Sequence, residues 1–368
     1  MRAGEPRGEP PLFAQDLFRW YDTHARPLPW RLRPSPYAIW VAEVLLQQTR
    51  VAQAVPYYRR FLRAFPTVRA LARAPLSRVL KVWEGAGYYA RARNLHRAAR
   101  DVVRRWGGRL PSSVSDLETL PGIGEYMARA IASQAFGIPV LGLDANVLRV
   151  ATRYYGERRD PARAPVRQGL KDRLERDLPA VHPGRSAQAI MELGETVCLP
   201  RSPRCTVCPI APHCWAYREL PDPGVLPRRH ARASRRCVPM AVLVLENKGR
   251  VLVHQRPPEG LLGGLWEFPE IPVGAGGSPA AAARRAFRRW SPRSTGELRA
   301  VGTFRYGYSH FVCEITVFHA TVGARSEHPR GHRWVPRSDL GRLPMAGAAR
   351  RAWDHVLGSR DNRAPAER

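Results

Sequence analysis

Four cysteines, Cys198, Cys205, Cys208 and Cys214, stand in the spacing C-x6-C-x2-C-x5-C. The loops between them are short enough for four sulfurs to converge on one inorganic centre, as four-thiolate ligation of a [4Fe–4S] cluster requires. The spacing follows neither ferredoxin pattern, and it lacks the symmetric C-x2-C knuckles of a zinc ribbon. Two disulfides would need an oxidising compartment. The opening MRAGEPRGEPP carries no apolar run of signal-peptide length. Nor does any later stretch approach the ~20 apolar residues of a membrane-spanning helix. The expectation is a soluble cytoplasmic chain, nucleoid-associated if bacterial, with an iron–sulfur cluster or another metal at the four cysteines. Cys237 and Cys313 stand alone and read as buried free thiols.

Two carboxylates could do chemistry. In YAIWVAEVLLQQT, Ile39, Trp40, Val41, Ala42, Val44, Leu45 and Leu46 are all apolar, which predicts a helix buried on every side with Glu43 inside it. A buried carboxylate finds a partner or stays protonated with a raised pKa, and a neutral acid near neutral pH is what a general acid must be. Asp144, in LGLDANVLRV, comes just before a helical pattern. As an N-cap it would meet helix N–H groups that hold it ionised, ready to face a developing positive charge. Asn146 is placed to hydrogen-bond it. Between the two, LPGIG (Leu120 to Gly124) separates a helical stretch starting near Ser113 from another over Tyr126 to Phe136, a helix-hairpin-helix. Glycines at Gly122 and Gly124 would let the turn close tightly and bring backbone N–H groups to a DNA phosphate.

These residues must be positioned by a chain of 368 residues with formal charge +29 and a pI of about 11.2. The basic residues run along its whole length, which suits a polyanionic partner. Only Lys81, Lys171 and Lys248 are lysines, so part of the charge reflects an Arg-rich composition. After a disordered N-terminus (1–11), residues 12–218 show helical spacing, broken at Pro66, Pro75, Gly107-Gly108, Pro121-Gly122, Pro139, Pro161 and Pro183. Residues 219–237 are rich in Pro and Arg and read as a linker. Over 238–358 the period changes. Strands are expected over Pro239 to Leu245, Arg250 to Arg256, Val301 to Tyr306 and Phe311 to Val322, with helices near Pro279 to Trp290 and Ala346 to Leu357. Residues 359–368 read as a disordered tail. The fold class is multidomain: an all-α half with the metal loop 198–214, then an α+β domain.

The all-α half, the hairpin LPGIG, LLQQT with Glu43 two residues before it, the aspartate in LDANV and the cysteine spacing together resemble the helix-hairpin-helix DNA glycosylases of the endonuclease III superfamily, over roughly residues 12 to 217. PLPWR (Pro27 to Arg31), LLQQT and the appended domain bring it nearer to the adenine glycosylase branch. So does Tyr126, which takes the place of the lysine that forms a Schiff base in lyase members. The second half is similar to a Nudix fold, with GLWEFPE (Gly264 to Glu270) at the place of the Nudix box. Arg285, Arg288 and Arg289 fall where that box carries Mg²⁺-binding glutamates, and arginines suit phosphate instead.

The resemblance implies a monomeric, monofunctional enzyme. It would flip adenine out of an A:8-oxoguanine or A:G mispair in double-stranded DNA, with no membrane partner, and hydrolyse its N-glycosidic bond. One [4Fe–4S] cluster is implied, and a cation at the hairpin is allowed. Glu43 would be the acid and Asp144 the stabilising carboxylate, assisted by Tyr126 and Asn146. Trp30, Arg31 and Gln188 would contact the base, Gln48 and Tyr88 would enter the helix beside 8-oxoguanine, and Thr49 would belong to the substrate-binding residues. Gly122 and Gly124 would hold the backbone, and Tyr308, Ser309 and His310 stand where family members carry a Phe-Ser-His loop that reads 8-oxoguanine.

Overall fold

A computed structural model describes residues 11–178, 182–228, 236–274, 276–291, 296–308, 310–323 and 331–361. Ser309, the first ten residues and those beyond 361 lie outside the described residues. The helices are α1 (Leu12–His24), α2 (Pro29–Leu32), α3 (Pro36–Leu46), α4 (Val51–Ala64), α5 (Val68–Arg73), α6 (Leu76–Trp83), α7 (Ala90–Trp106), α8 (Val114–Glu118), α9 (Glu125–Phe136), α10 (Ala145–Tyr155), α11 (Ala164–Asp177), α12 (Pro183–Thr196) and α13 (Trp215–Glu219). After them come strands β1 (Arg236–Asn247), β2 (Arg250–Gln255), β3 (Trp266–Glu267) and β4 (Glu270–Pro272), helix α14 (Pro279–Trp290), strands β5 (Arg299–Gly307), β6 (Phe311–Thr321) and β7 (His332–Pro336), and helix α15 (Gly347–Asp361).

By its contacts the chain forms two units, one from Met1–Arg73 with Asn94–Ala231 and one from Ala74–Arg93 with Arg232–Arg368. In the first, Ser35 caps α3 by accepting from the Ala38 amide, and Pro36 takes the first turn, where its missing N–H costs nothing. Every residue of α3 from Tyr37 to Leu45 is buried, as an all-round apolar helix requires, and α3 packs against α4 and α9. A second core joins Phe13 and Leu17 of α1 to Val147 and Val150 of α10, Leu170 of α11 and Ile190 and Leu193 of α12.

In the second unit, β1 is central. It runs parallel to β6 and antiparallel to β2 and β4, and the order across the sheet is β3-β2-β1-β6-β5 with β7 on β2. Residues 241 to 246 of β1 are all buried, because both faces are covered. Ala241, Leu243 and Leu245 meet Ala283 and Phe287 of α14, and α15 packs on β1, β5 and β6. Residues 74–93, which follow the helical spacing, pack within this sheet-bearing unit. Arg93 Nη1 and Nη2 donate to the carbonyls of Gly263 and Gly260 at 2.9 and 3.0 Å, and Arg350 Nε meets Glu84 Oε1 at 2.6 Å. Two details differ from expectation. Cys237 is exposed, because it lies at the open start of β1, whereas Cys313 is buried. Helix α15 also runs past Leu357 to Asp361.

Candidate active site

Glu43 is 6% exposed and points from α3 toward α9. Its Oε2 accepts a hydrogen bond from the Tyr126 hydroxyl at 3.0 Å, and its Oε1 accepts one from Gln134 Nε2 at 2.8 Å. Tyr126 and Gln134 lie eight residues apart on α9, so they share a face. Burial pushes the Glu43 carboxyl up from its ordinary range. The two donors work against that, and the charge of Asp144 adds to it. Uncharged donors do not outweigh desolvation here, so the acid is held toward its neutral form.

Asp144 caps α10, its Oδ1 accepting from the Val147 amide at 2.6 Å and its Oδ2 from Asn146 Nδ2 at 3.1 Å. The N-cap alone suggests a carboxyl held down. The structure differs: burial raises it, while the Val147 and Asn146 amides, Arg149 and the Asn146 side chain oppose the rise. Asn146 is itself oriented. Its Nδ2 also donates to Glu195 Oε2 at 3.2 Å, and its Oδ1 accepts from Arg149 Nη2 at 2.8 Å. Arg149 further donates to the carbonyls of Gly194 and Cys198, both at 2.7 Å. Tyr126 bonds Glu43 and feels the charge of both acids: burial first, then the charges of Glu43 and Asp144, push its hydroxyl up. Gly142 lets the extended segment before Asp144 lie against that tyrosine: a Cβ there would meet the Tyr126 carbonyl at 2.8 Å and its ring at 3.0 Å.

Trp30 is buried, edge-on to Tyr58 at 5.2 Å. Arg31 pairs with Glu192 at 2.9 Å and lies 5.5 Å over the ring of Tyr21, whose hydroxyl donates to Gln188 Oε1 at 2.8 Å. Arg31 and Gln188 are therefore brought together around Tyr21. Burial works to raise the Glu192 carboxyl, but Arg26 and Arg31 outweigh it and hold it below the usual range. Gln48 is exposed just past the end of α3 with φ of 58°, a left-handed backbone that costs a residue with a Cβ about 1–2 kcal/mol. Thr49 follows it, half-buried, its amide donating to the Leu46 carbonyl. Tyr88, in the second unit, is also left-handed at φ 47°, just after two positive-φ glycines, Gly85 and Gly87. It is 44% exposed, with the Arg91 guanidinium 5.3 Å from its ring.

The hairpin forms between α8 and α9. Gly122 has φ of 82°, and a Cβ there would meet Asn94 Cβ at 2.7 Å, so glycine is required. Gly124 differs from expectation. It is extended at φ −100° as the N-cap of α9, and a Cβ would meet nothing within 4 Å, so its backbone could be adopted by any residue.

The four cysteines line one pocket with Val150, Leu193, Val197 and Ile210, and the buried Arg153 reaches Cys198 Sγ with Nη1 at 3.2 Å. Burial and the neighbouring sulfurs push the Cys205, Cys208 and Cys214 thiols up, Cys208 to about 12. Among the described residues, no set of three or more His, Cys, Asp or Glu side chains is drawn tightly enough together to hold a metal ion as it stands. In the second unit Tyr308 lies against Tyr306 and Phe311 at 5.3 and 4.9 Å, and His310 is exposed. Sequence reasoning missed Gln134, Gly142, Arg149, Glu192 and Glu195. Of these, only Gln134 had a local signal, its eight-residue spacing from Tyr126.

Residues 41–176 match the HhH-GPD superfamily of base excision DNA repair proteins, and residues 240–355 match the NUDIX domain. The chain is 32% identical to the adenine DNA glycosylase of Rattus norvegicus, over 93% of this chain and 77% of that one. It is 33% identical to the adenine DNA glycosylase of Mus musculus, over 95% and 79%. Among solved structures it is similar to a thermostable thymine-DNA glycosylase, at 28% identity and a TM-score of 0.52, covering 56% of this chain and 95% of that one. No helix of the described residues is long and apolar enough to cross a membrane. With relatives that extend through both units, the chain belongs to the adenine DNA glycosylases, enzymes of base-excision repair.

Proposed function

We propose that this adenine DNA glycosylase acts on adenine paired with 8-oxoguanine or guanine, hydrolyses the N-glycosidic bond and leaves the strand uncut. The observation that carries the chemistry is Glu43, buried on α3 with only the uncharged donors Tyr126 and Gln134 on its two oxygens, an environment in which burial pushes the carboxyl up toward its neutral form. A purine stacked in a duplex hides its glycosidic bond, so the nucleotide is flipped out. Gln48, exposed on its left-handed backbone, fills the vacated space. Trp30, Arg31 and Gln188 contact the extruded adenine. Glu43 protonates it at N7, which makes it a better leaving group, a contribution of about 10²–10⁴ in rate. Asp144, oriented by Asn146, faces the sugar carbon as oxocarbenium character develops. Tyr126 holds the proton of its hydroxyl toward Glu43.

An uncut strand follows from the phenol that stands at Tyr126, where a lyase would present an amine. Lys171, the lysine of the helical unit, lies 3.8 Å from Glu125 in an ion pair. For the opposite base, exposed His310 is the residue we assign, with Ser309 by family resemblance. Tyr308 packs back onto Tyr306 and Phe311, which leaves it a supporting part. Tyr88 we assign to stacking on a base from the second unit.

The cysteines fit an iron–sulfur cluster. Four thiols share one apolar-walled pocket, their thiolates would repel one another, and a bound iron centre would offset that charge. Cys198, Cys205, Cys208 and Cys214 would hold it, and bound there it would pin the 198–214 loop rather than take part in bond breaking.

The test uses duplexes carrying adenine opposite 8-oxoguanine, guanine or thymine, quenched with and without hot alkali. Breaks should appear only after alkali, fastest opposite 8-oxoguanine, absent opposite thymine, and absent in Glu43→Gln and Asp144→Asn. Cleavage without alkali would sink the monofunctional reading, and equal rates opposite all three bases would sink the specificity.

A further inference from the structure

We propose that the exposed face of α14 is a docking surface for the phosphodiester backbone of duplex DNA. The helix reads PAAAARRAFRRW. Ala282, Ala283 and Phe287 are buried, and Ala286 and Trp290 pack on the same core. Arg284, Arg285, Arg288 and Arg289 are therefore all exposed on the other side. Arg284 with Arg288 and Arg285 with Arg289 stand four residues apart, about 6 Å along the axis. Four guanidiniums thus form two rows on two turns of one rigid element.

Like charges at this spacing destabilise a helix, and α14 contains no Asp or Glu to relieve them. Among the described residues, none of the four makes a hydrogen bond or ion pair. Some exposed arginines elsewhere are satisfied locally, Arg104 by Asp101 at 2.6 Å, Arg159 by Glu157 at 2.7 Å and Arg299 by Glu297 at 2.6 Å, while others such as Arg59 and Arg100 are exposed without such a partner among the described residues. Four unpaired guanidiniums on two turns of one acid-free helix repel one another, and an anionic partner from outside the chain would relieve that repulsion. A guanidinium is a planar fork that matches phosphate oxygens, and a row of them matches an anion repeated along a line. A DNA strand supplies one phosphate per ~3.4 Å of axis, whereas an isolated phosphate meets only one or two of the four. The contact reads no sequence. It supplies register and affinity to a domain whose helix has no carboxylate with which to bind Mg²⁺. The inference rests on DNA as the substrate of the family and not on the choice of opposite base.

The experiment uses the full chain with Arg284, Arg285, Arg288 and Arg289 all changed to Gln, a residue of good helix propensity that leaves the buried face untouched. A second variant carries Lys at all four positions. Affinity for undamaged duplex is measured by anisotropy between about 50 and 200 mM salt, where each phosphate contact contributes ~0.9 to the log–log slope. The Gln variant should lose about 2–4 from that slope, while the Lys variant keeps it within about one contact. Excision of adenine under saturating, single-turnover conditions should match the unsubstituted enzyme in both. Three results would overturn the proposal: an unchanged slope in the Gln variant, an equal loss in the Lys variant, or binding of tripolyphosphate to the tetrad with no change in the duplex slope. Because undamaged duplex is bound without excision, the outcome is independent of any preference for 8-oxoguanine.

Discussion

Replacing Tyr126 by Phe removes one hydroxyl from the centre and keeps the ring that Gly142 packs against. The hydroxyl donates to Glu43 Oε2 at 3.0 Å inside a buried site. A hydrogen bond to a charged group contributes about 1.5–3 kcal/mol, and about 1.36 kcal/mol corresponds to one pH unit. Only the part of that energy that favours the ionised over the neutral acid moves the Glu43 pKa, so loss of the bond should raise it. The sign is fixed by the roles. This donor lowers the Glu43 pKa against the desolvation that raises it, so its removal favours the neutral acid further. If Glu43 acts as the proton donor, activity falls as pH rises through its pKa, and the alkaline limb of the rate profile reports that fall. In Tyr126→Phe the limb should move to higher pH. Gln134→Leu, which removes the 2.8 Å bond to Oε1, should move it the same way. The assay is single-turnover excision of adenine across pH, with strand breaks developed by alkali. A limb that stays in place or moves to lower pH in both variants would show that Glu43 is not the titrating acid.

The raised Glu43 pKa also has a consequence for folding. Its stabilising contribution is complete below the unfolded pKa and is lost as pH rises through the folded one, so Glu43→Gln should gain stability over the native chain as pH climbs through that window, measured as the difference in Tm at acid and neutral pH. At the hairpin, Gly122→Ala must adopt φ of 82° against Asn94 and should cost about 1–3 kcal/mol in denaturant melts. Gly124→Ala, with open space around its Cβ, should leave the melt unchanged while weakening duplex affinity, and unchanged affinity would remove the phosphate from that turn. Gly142→Ala, which would press on Tyr126 at 2.8 Å, should cost about 1–3 kcal/mol by overpacking and slow excision under saturating enzyme. Purified protein should carry iron and acid-labile sulfide in equal amounts. Cys208→Ser should lower both and make the 198–214 loop the first site of limited proteolysis.

What could be read in advance was chemistry set by near neighbours. Glu43 was legible because the apolar residues around it, from Ile39 to Leu46, leave no solvent face on which a carboxylate could sit. Asp144 was legible as a cap because an N-cap is defined by the next three residues, and Val147 does donate to it. Its titration was not legible by the same reasoning. Local donors argue for a lowered pKa, but burial arises from elements distant in sequence, and it reverses the direction. Strands β3, β4 and β7 span 2, 3 and 5 residues, too short to display a two-residue period against their flanks.

The orientation of Asn146 shows why such networks escape sequence reasoning. Read locally, it is a polar residue in the first turn of a helix, a position where asparagine needs no explanation. Its amide is fixed because Oδ1 takes the Arg149 guanidinium while Nδ2 is shared between Asp144 and Glu195. Arg149 in turn is held by the carbonyls of Gly194 and Cys198, 45 and 49 residues away. Gly194 can approach only because it has no Cβ, which would lie 2.8 Å from Asn146 Cβ. Each of these positions is ordinary in isolation. Their joint geometry appears only once α12 is laid against α10, so the residues that bear on Asp144 from outside its own helix are those that packing, and not local pattern, selects.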